Sequence, residues 1–140
     1  MTYRVVIDTN VLVAALRSRR GSSFRLIQLL GDRRWRPCVS VPLALEYEDV
    51  LKREFMRSAI TADDVDRLLD YLFSVASLVE VHFSLRPALR DPDDDRILEL
   101  AARAGAMIVT FNVRDFVGAE AFGVRVLRPG EFLRLIGESW

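Results

Sequence analysis

Short β-branched runs alternate with segments of helical periodicity along the chain, and this alternation constrains the fold more than any other feature. Tyr3 to Ile7 (YRVVI) is apolar, β-branched and aromatic, which predicts a buried strand ending at Asp8. Thr9 or Asn10 can cap a helix from Val11 to about Arg17. A basic turn, Arg17 to Ser23, follows; then Phe24, Ile27 and Leu30 recur at helical spacing until Gly31 closes that helix. Arg36 to Val41 predicts a second strand, and Pro42 suits the first turn of a helix over 42–57. Thr61 and Asp64 have capping-box spacing and open a helix to about Ser77, with Val65, Leu68, Leu69 and Leu72 inward. Leu78 to Phe83 alternates as a third strand, Ser84 to Pro92 reads as a loop, and Asp93 to Ala104 as a helix ended by Gly105. Met107 to Thr110 and Val124 to Leu127 are the fourth and fifth strands, and Pro129 starts the last helix.

Strands that are apolar on both faces and joined by helices need helices on both sides. The expected fold is α/β, a three-layer α/β/α arrangement with a central, mainly parallel five-stranded sheet. The 140 residues fit one domain, 1–140. A chain of this length buries about 70% of its unfolded surface, so it needs no disulfide or zinc staple. A hydrophobic fraction of 51% excludes a disordered chain. Twenty basic and twenty acidic side chains cancel, which argues against a generally basic nucleic-acid binder but leaves room for a local patch. Cys38 is the one cysteine, so no internal disulfide forms. With no targeting segment and no apolar run of membrane-spanning length, the expectation is a cytoplasmic protein without a membrane partner. The bases are nineteen Arg and one Lys, Lys52. Arg grips phosphate in a bidentate fork, although codon usage gives the same excess.

In doubly wound sheets, ligands bind beyond the carboxyl ends of the strands. Asp8 follows the first strand, and Glu46 lies one turn into the helix after the second. Asp91, Asp93, Asp94 and Asp95 open the helix before the fourth strand, which is itself followed by Thr110, Asn112 and Asp115. Singly, each has an ordinary explanation, as a helix cap or a solvated face. Together at one edge they are mutually repulsive: two unit charges ~4 Å apart cost about 4 kcal/mol at an effective dielectric of 20. A proton or a metal must offset that. Oxygen donors without His or Cys suit Mg²⁺ or Mn²⁺ and not Zn²⁺. Arg17, Arg19, Arg20 and Arg114 flank this edge as candidate phosphate contacts. His82, on the third strand, lies away from it, Cys38 reads as packing, and Phe111, Phe116, Phe122 and Phe132 read as core.

The opening VVIDTNVLVAAL resembles the start of the PIN domain, the nuclease fold of VapC-type toxins. SVPLALEYEDVL (Ser40 to Leu51), DPDDDRILELA (Asp91 to Ala101), IVTFNVRDF (Ile108 to Phe116) and GVRVLRPGEFL (Gly123 to Leu133) continue the resemblance in order over nearly the whole chain. The DPDDD form and the long middle segment are most similar to a bacterial subfamily of PIN toxin components. The resemblance implies a Mg²⁺- or Mn²⁺-dependent endoribonuclease acting on RNA, a homodimer, and a small antitoxin partner. It makes Asp8 and Asp95 direct metal ligands, with Glu46 holding or orienting the metal-bound water. Asp94 is a supporting partner or an alternative ligand. The fourth acidic position of many relatives corresponds to Asn112 here. That departure weakens a second metal site, and Asp115 either replaces the charge or caps a short helix. Thr9, Asn10 and Thr110 are suited to orienting the carboxylates.

The Asn112 departure also motivates a different class of function, a metal-poor PIN domain that binds RNA or a protein without cutting. An aspartyl-phosphate enzyme is opposed by Asp8-Thr9-Asn10, which lacks the second Asp of that signature, and by the absence of a Lys after the fourth or fifth strand. A dinucleotide-binding domain is opposed by the absence of GxGxxG after the first strand.

Overall fold

The computed structural model describes residues 2–55, 60–81 and 92–140. The elements in chain order are β1 (Tyr3–Ile7), α1 (Thr9–Arg17), α2 (Ser22–Gln28), β2 (Trp35–Val39), α3 (Val41–Glu54), α4 (Ala62–Val75), β3 (Ser77–Leu78), α5 (Pro92–Ala104), β4 (Met107–Val109), β5 (Val126–Leu127) and α6 (Pro129–Leu135). Two 3₁₀ turns, Val113–Phe116 and Ala119–Phe122, fill the connection from β4 to β5. The strands form one parallel sheet in the order β3-β2-β1-β4-β5. The chain winds outward from β1 to β3 and then returns to the other side of β1 for β4 and β5. The carboxyl end of β1 is therefore the crossover switch point. Val5, Val6 and Ile7 are each 1% exposed or less. Successive strand residues point to opposite faces, so both faces of the sheet are covered. This is the expected three-layer α/β fold.

Local chemistry explains the elements that aim the site. Ser40 caps α3, its hydroxyl accepting from the Leu43 N–H at 3.3 Å, and Pro42 sits in the first turn, where its missing N–H costs nothing. The Thr61/Asp64 capping box forms in both directions, at 3.0 and 3.2 Å. Val65, Leu69 and Leu72 are buried beneath it, with Leu68 partly so. Gly31 has a φ of +90°, and a Cβ there would stand 2.6 Å from the Tyr71 hydroxyl, which donates to the Leu30 carbonyl. Only glycine fits that close approach.

Several expectations change. Helix α1 starts at Thr9, so Asp8, and not Thr9 or Asn10, occupies the cap position. Its carboxylate makes no cap bond because other partners hold it. Strand β3 is only Ser77–Leu78. His82 and Phe83, the loop over 84–91 and Asp91 lie outside the described residues. Phe116 and Phe132 are core, but Phe111 and Phe122 are 39% and 40% exposed. Phe111 follows β4 beyond the edge of the sheet, and Phe122 ends a 3₁₀ turn, so neither has a packed layer above it.

Candidate active site at the carboxyl edge

A cavity of about 650 Å³ opens at the carboxyl ends of β1 and β4. Helical stripes build its walls. Thr9, Asn10, Val13, Ala14, Arg17 and Ser18 recur at helical spacing along and just past α1, while Glu46, Val50 and Glu54 lie one turn apart on α3. Asp93, Asp94 and Ile97 come from the first turns of α5, and Asp8, Asn112 and Asp115 complete the lining.

Asp8 is held by a small network. The Thr110 hydroxyl donates to Asp8 Oδ2 at 2.8 Å, and Asn10 Nδ2 reaches the same oxygen at 3.3 Å. Thr110 is fully buried, and its oxygen accepts from the Asn112 N–H at 3.0 Å. Asn10 Oδ1 accepts from the Phe111 N–H at 3.4 Å, tying α1 to the end of β4. The Thr9 hydroxyl donates to Glu46 Oε2, joining the first turn of α1 to α3. Glu46 Oε1 has no hydrogen bond among the described residues. Beside Glu46, the fully buried Tyr47 donates its hydroxyl to the Ile7 carbonyl, immediately before Asp8.

Burial pushes the Asp8 carboxyl above its ordinary value. The Thr110 hydrogen bond and the Thr9 backbone N–H oppose this, and the charges of Glu46 and Asp115 add to it. Burial, reinforced by the charges of Asp8 and Glu46, holds the Tyr47 hydroxyl protonated. The centre is therefore a buried Asp8 carboxyl whose ionisation is disfavoured without a compensating cation.

Of the residues singled out in the sequence, Asp8, Thr9, Asn10, Glu46, Asp94, Asn112, Asp115 and Arg17 line this one cavity, and Thr110 sits behind it. Asp95 is not on its wall. A helix turns about 100° per residue, so with Asp93 and Asp94 one turn before the lining residue Ile97, Asp95 is carried round the helix. Arg19, Arg20 and Arg114 are exposed and are not lining residues either. The sequence reading passed over Glu54, Val50 and Tyr47. The spacing of Glu46, Val50 and Glu54 at i, i+4, i+8 carries the signal for the first two; Tyr47 carries none, being one apolar position among many.

The donor chemistry fits a hard divalent cation: the lining side chains offer oxygens, and neither His nor Cys is among them. Among the described residues no three His, Cys, Asp or Glu side chains already stand as a ligand set. The fit thus rests on the Asp8–Glu46 pair and the carboxylates across the cavity. A larger groove of about 870 Å³ runs between α3 and α4, past Leu45, Phe55, Ile60 and Val65. The acidic cavity is the smaller of the two, yet it has the convergent polar groups that chemistry requires.

A parallel doubly wound sheet with carboxylates gathered at its switch point defines the class: an α/β protein with an acidic site where such folds bind ligands. The match that places the chain within that class is a family one: the PIN domain family model matches residues 4–114, and the chain belongs to that family. Among solved structures, the fold is similar to VapBC2 from Rickettsia felis, described as bound to a DNA fragment from their promoter. Identity is 14% over 88% of this chain and 96% of that one, with a TM-score of 0.59. It is also similar to VapBC-1 from nontypeable Haemophilus influenzae, at 16% identity over 93% and 99% of the two chains and a TM-score of 0.59. A PilT N-terminus domain protein from Sulfolobus solfataricus is 15% identical over 98% and 96%, with a TM-score of 0.54. These identities carry a likeness of fold. No curated protein matches the sequence.

Proposed function

We propose that this chain is a metal-dependent endoribonuclease that hydrolyses RNA phosphodiester bonds, working as the toxin component of a toxin–antitoxin pair. The observation that carries the reading is the buried Asp8 carboxyl sharing with Glu46 a cavity whose acidic, hydroxyl and amide side chains offer hard oxygen donors, with neither His nor Cys among them. Asp8 and Asp94 are the cavity carboxylates suited to hold Mg²⁺ or Mn²⁺, with Asp95 the ligand that the family resemblance favours. When bound, such an ion stabilises charge on phosphate oxygens and makes water more acidic. Glu46, fixed by Thr9, accepts the proton of the attacking water through its free oxygen. Thr110 and Asn10 fix the direction of the Asp8 carboxylate. Asp115 contributes charge at the position where Asn112 has none. Arg17 offers its guanidinium to the phosphate backbone. No protein nucleophile is required.

The antitoxin partner is supported by the VapBC complexes among the structural neighbours, and the homodimer by the family resemblance. Cleavage of defined RNAs in Mg²⁺, Mn²⁺ and EDTA tests the activity. Cutting by the unmodified chain is expected in either metal and is lost in EDTA and in Asp8→Asn. Equal cutting by Asp8→Asn would mark contamination. A second reading, a PIN domain that binds without cutting, is favoured by Asn112, which brings no charge to the cavity. Calorimetric titration with Mn²⁺ separates the two, since the binding module takes up no metal at millimolar concentration.

A further inference from the structure

We propose, on the nuclease reading of the cavity, that the Arg17–Glu54 ion pair is a phosphate-exchange contact. Glu54 holds Arg17 at the far end of the cavity until a phosphate of an RNA strand, several nucleotides from the carboxylates, takes its place.

The geometry runs from one contact to another. Thr9 of α1 is hydrogen-bonded to Glu46 of α3 at the acidic end. Two turns further along both helices, Arg17 Nη2 meets Glu54 Oε2 at 2.5 Å. From Thr9 to Arg17, and from Glu46 to Glu54, the rise is roughly 12 Å at 1.5 Å per residue. That distance spans roughly three to four steps of a stacked strand at ~3.4 Å per step. Between the ends the floor is small and apolar, made by Val13, Ala14 and Val50, and suits sugar and base edges more than charge.

Arg17 is the one cation among the described lining residues. Neighbouring bases on α3 are engaged on other faces, Lys52 with Glu48 and Asp66, and Arg53 with Asp49. Glu54 has no reason to be where it is within its own helix. It is the last residue of α3, where the helix dipole disfavours a carboxylate, and its partner lies across the trench. The pair is solvated, with side chains 61% and 39% exposed, so it holds Arg17 weakly. A phosphate accepts the same guanidinium fork. The exchange selects for a strand long enough to reach both ends. A small anion at the carboxylates leaves Arg17 on Glu54.

The test is fluorescence anisotropy with cleavage-resistant phosphorothioate oligoribonucleotides in MgCl₂, across a range of KCl. Glu54→Gln is expected to bind spanning strands roughly two- to fivefold more tightly. Arg17→Gln is expected to bind them more weakly, with a slope of log K against log salt shallower by about 0.7, the loss of one phosphate contact to a single strand. On a dinucleotide, too short to span, neither variant differs from the unmodified chain. The exchanged pair, Arg17→Glu with Glu54→Arg, keeps the ion pair and is expected to keep the unmodified salt slope, which secures the test should a single variant fail to fold. Equal slopes for Arg17→Gln and the unmodified chain overturn the exchange, as do variant effects independent of strand length. If the unmodified chain binds no strand of any length, the nuclease reading falls, and this contact with it.

Discussion

At the scale of single residues, the chain spends stability on its acidic centre. Asp8 is the clearest case: its folded pKa lies above the ordinary 3.8, so the folded state binds the proton more tightly than the unfolded state does. Stability then falls as pH rises from that ordinary value through the folded one, and the penalty persists at neutral pH. Asp8→Asn removes it. In metal-free buffer at pH 7 the variant is expected to melt higher than the unmodified chain, with the gap closing below about pH 4, as thermal scans across pH will read. Tyr47 has the opposite economy. Its hydroxyl satisfies the Ile7 carbonyl in a fully buried place, so Tyr47→Phe leaves that acceptor orphaned at a cost of about 1–3 kcal/mol in urea denaturation. Asp8 was legible in the sequence because a charge closing an apolar strand is conspicuous. Tyr47 was not, since nothing local tells a hydroxyl that packs from one that holds a strand end.

Among elements, helix phase decides which carboxylates meet. Helix α5 buries Ile97, Leu98, Leu100 and Ala101, and that apolar face fixes its rotation. Asp93 and Asp94 are thereby turned onto the cavity and Asp95 away from its lining. Mn²⁺ titration should therefore register Asp94→Asn as the larger loss of affinity and Asp95→Asn as the smaller; the reverse order would restore the ligand expected from the family resemblance. The starts of α4 and α6 were readable from Thr61, Asp64 and Pro129, whose roles are local. The shortness of β3 was not, because a strand lasts only as long as its neighbour offers hydrogen bonds. At the opposite edge, Arg34 joins the turn before β2 to the end of α6. It pairs with Asp32 at 2.9 Å and Glu138 at 3.0 Å, and also donates to the Ile136 carbonyl. Hydrogen bonds from Arg34 hold the Asp32 carboxyl down at about 2, against an ordinary 3.8. A lowered carboxylate stabilises the fold above its unfolded value and loses that contribution as pH falls through its folded one. Arg34→Met should thus melt lower than the unmodified chain above about pH 4, with the deficit shrinking towards pH 2.

Across the whole molecule, a formal net charge of zero conceals a separation. Carboxylates crowd the carboxyl ends of the strands, whereas Arg4, Arg33, Arg34 and Arg36 cluster at the amino ends of β1 and β2. The sheet is covered on both faces by an apolar core independent of the acidic cavity. EDTA is accordingly expected to leave the circular dichroism spectrum unchanged, while a divalent ion at a hundredfold its dissociation constant raises stability by about 2.7 kcal/mol. Collapse of the spectrum in EDTA would mean that the metal holds the fold itself. The sequence by itself determined the order of elements and the parallel, doubly covered sheet, because periodicity and two-faced apolar strands are properties of local stretches. It also placed Asp8 and Glu46 at the same edge, since Asp8 follows β1 directly and Glu46 lies one turn into the helix that follows β2. Only the tertiary structure decided that Asp94 lines the cavity, that Thr110 stands behind Asp8, and that Glu54 reaches across to Arg17. Those pairings depend on how helices rotate to bury their apolar faces, and that rotation is set by neighbours distant in the chain.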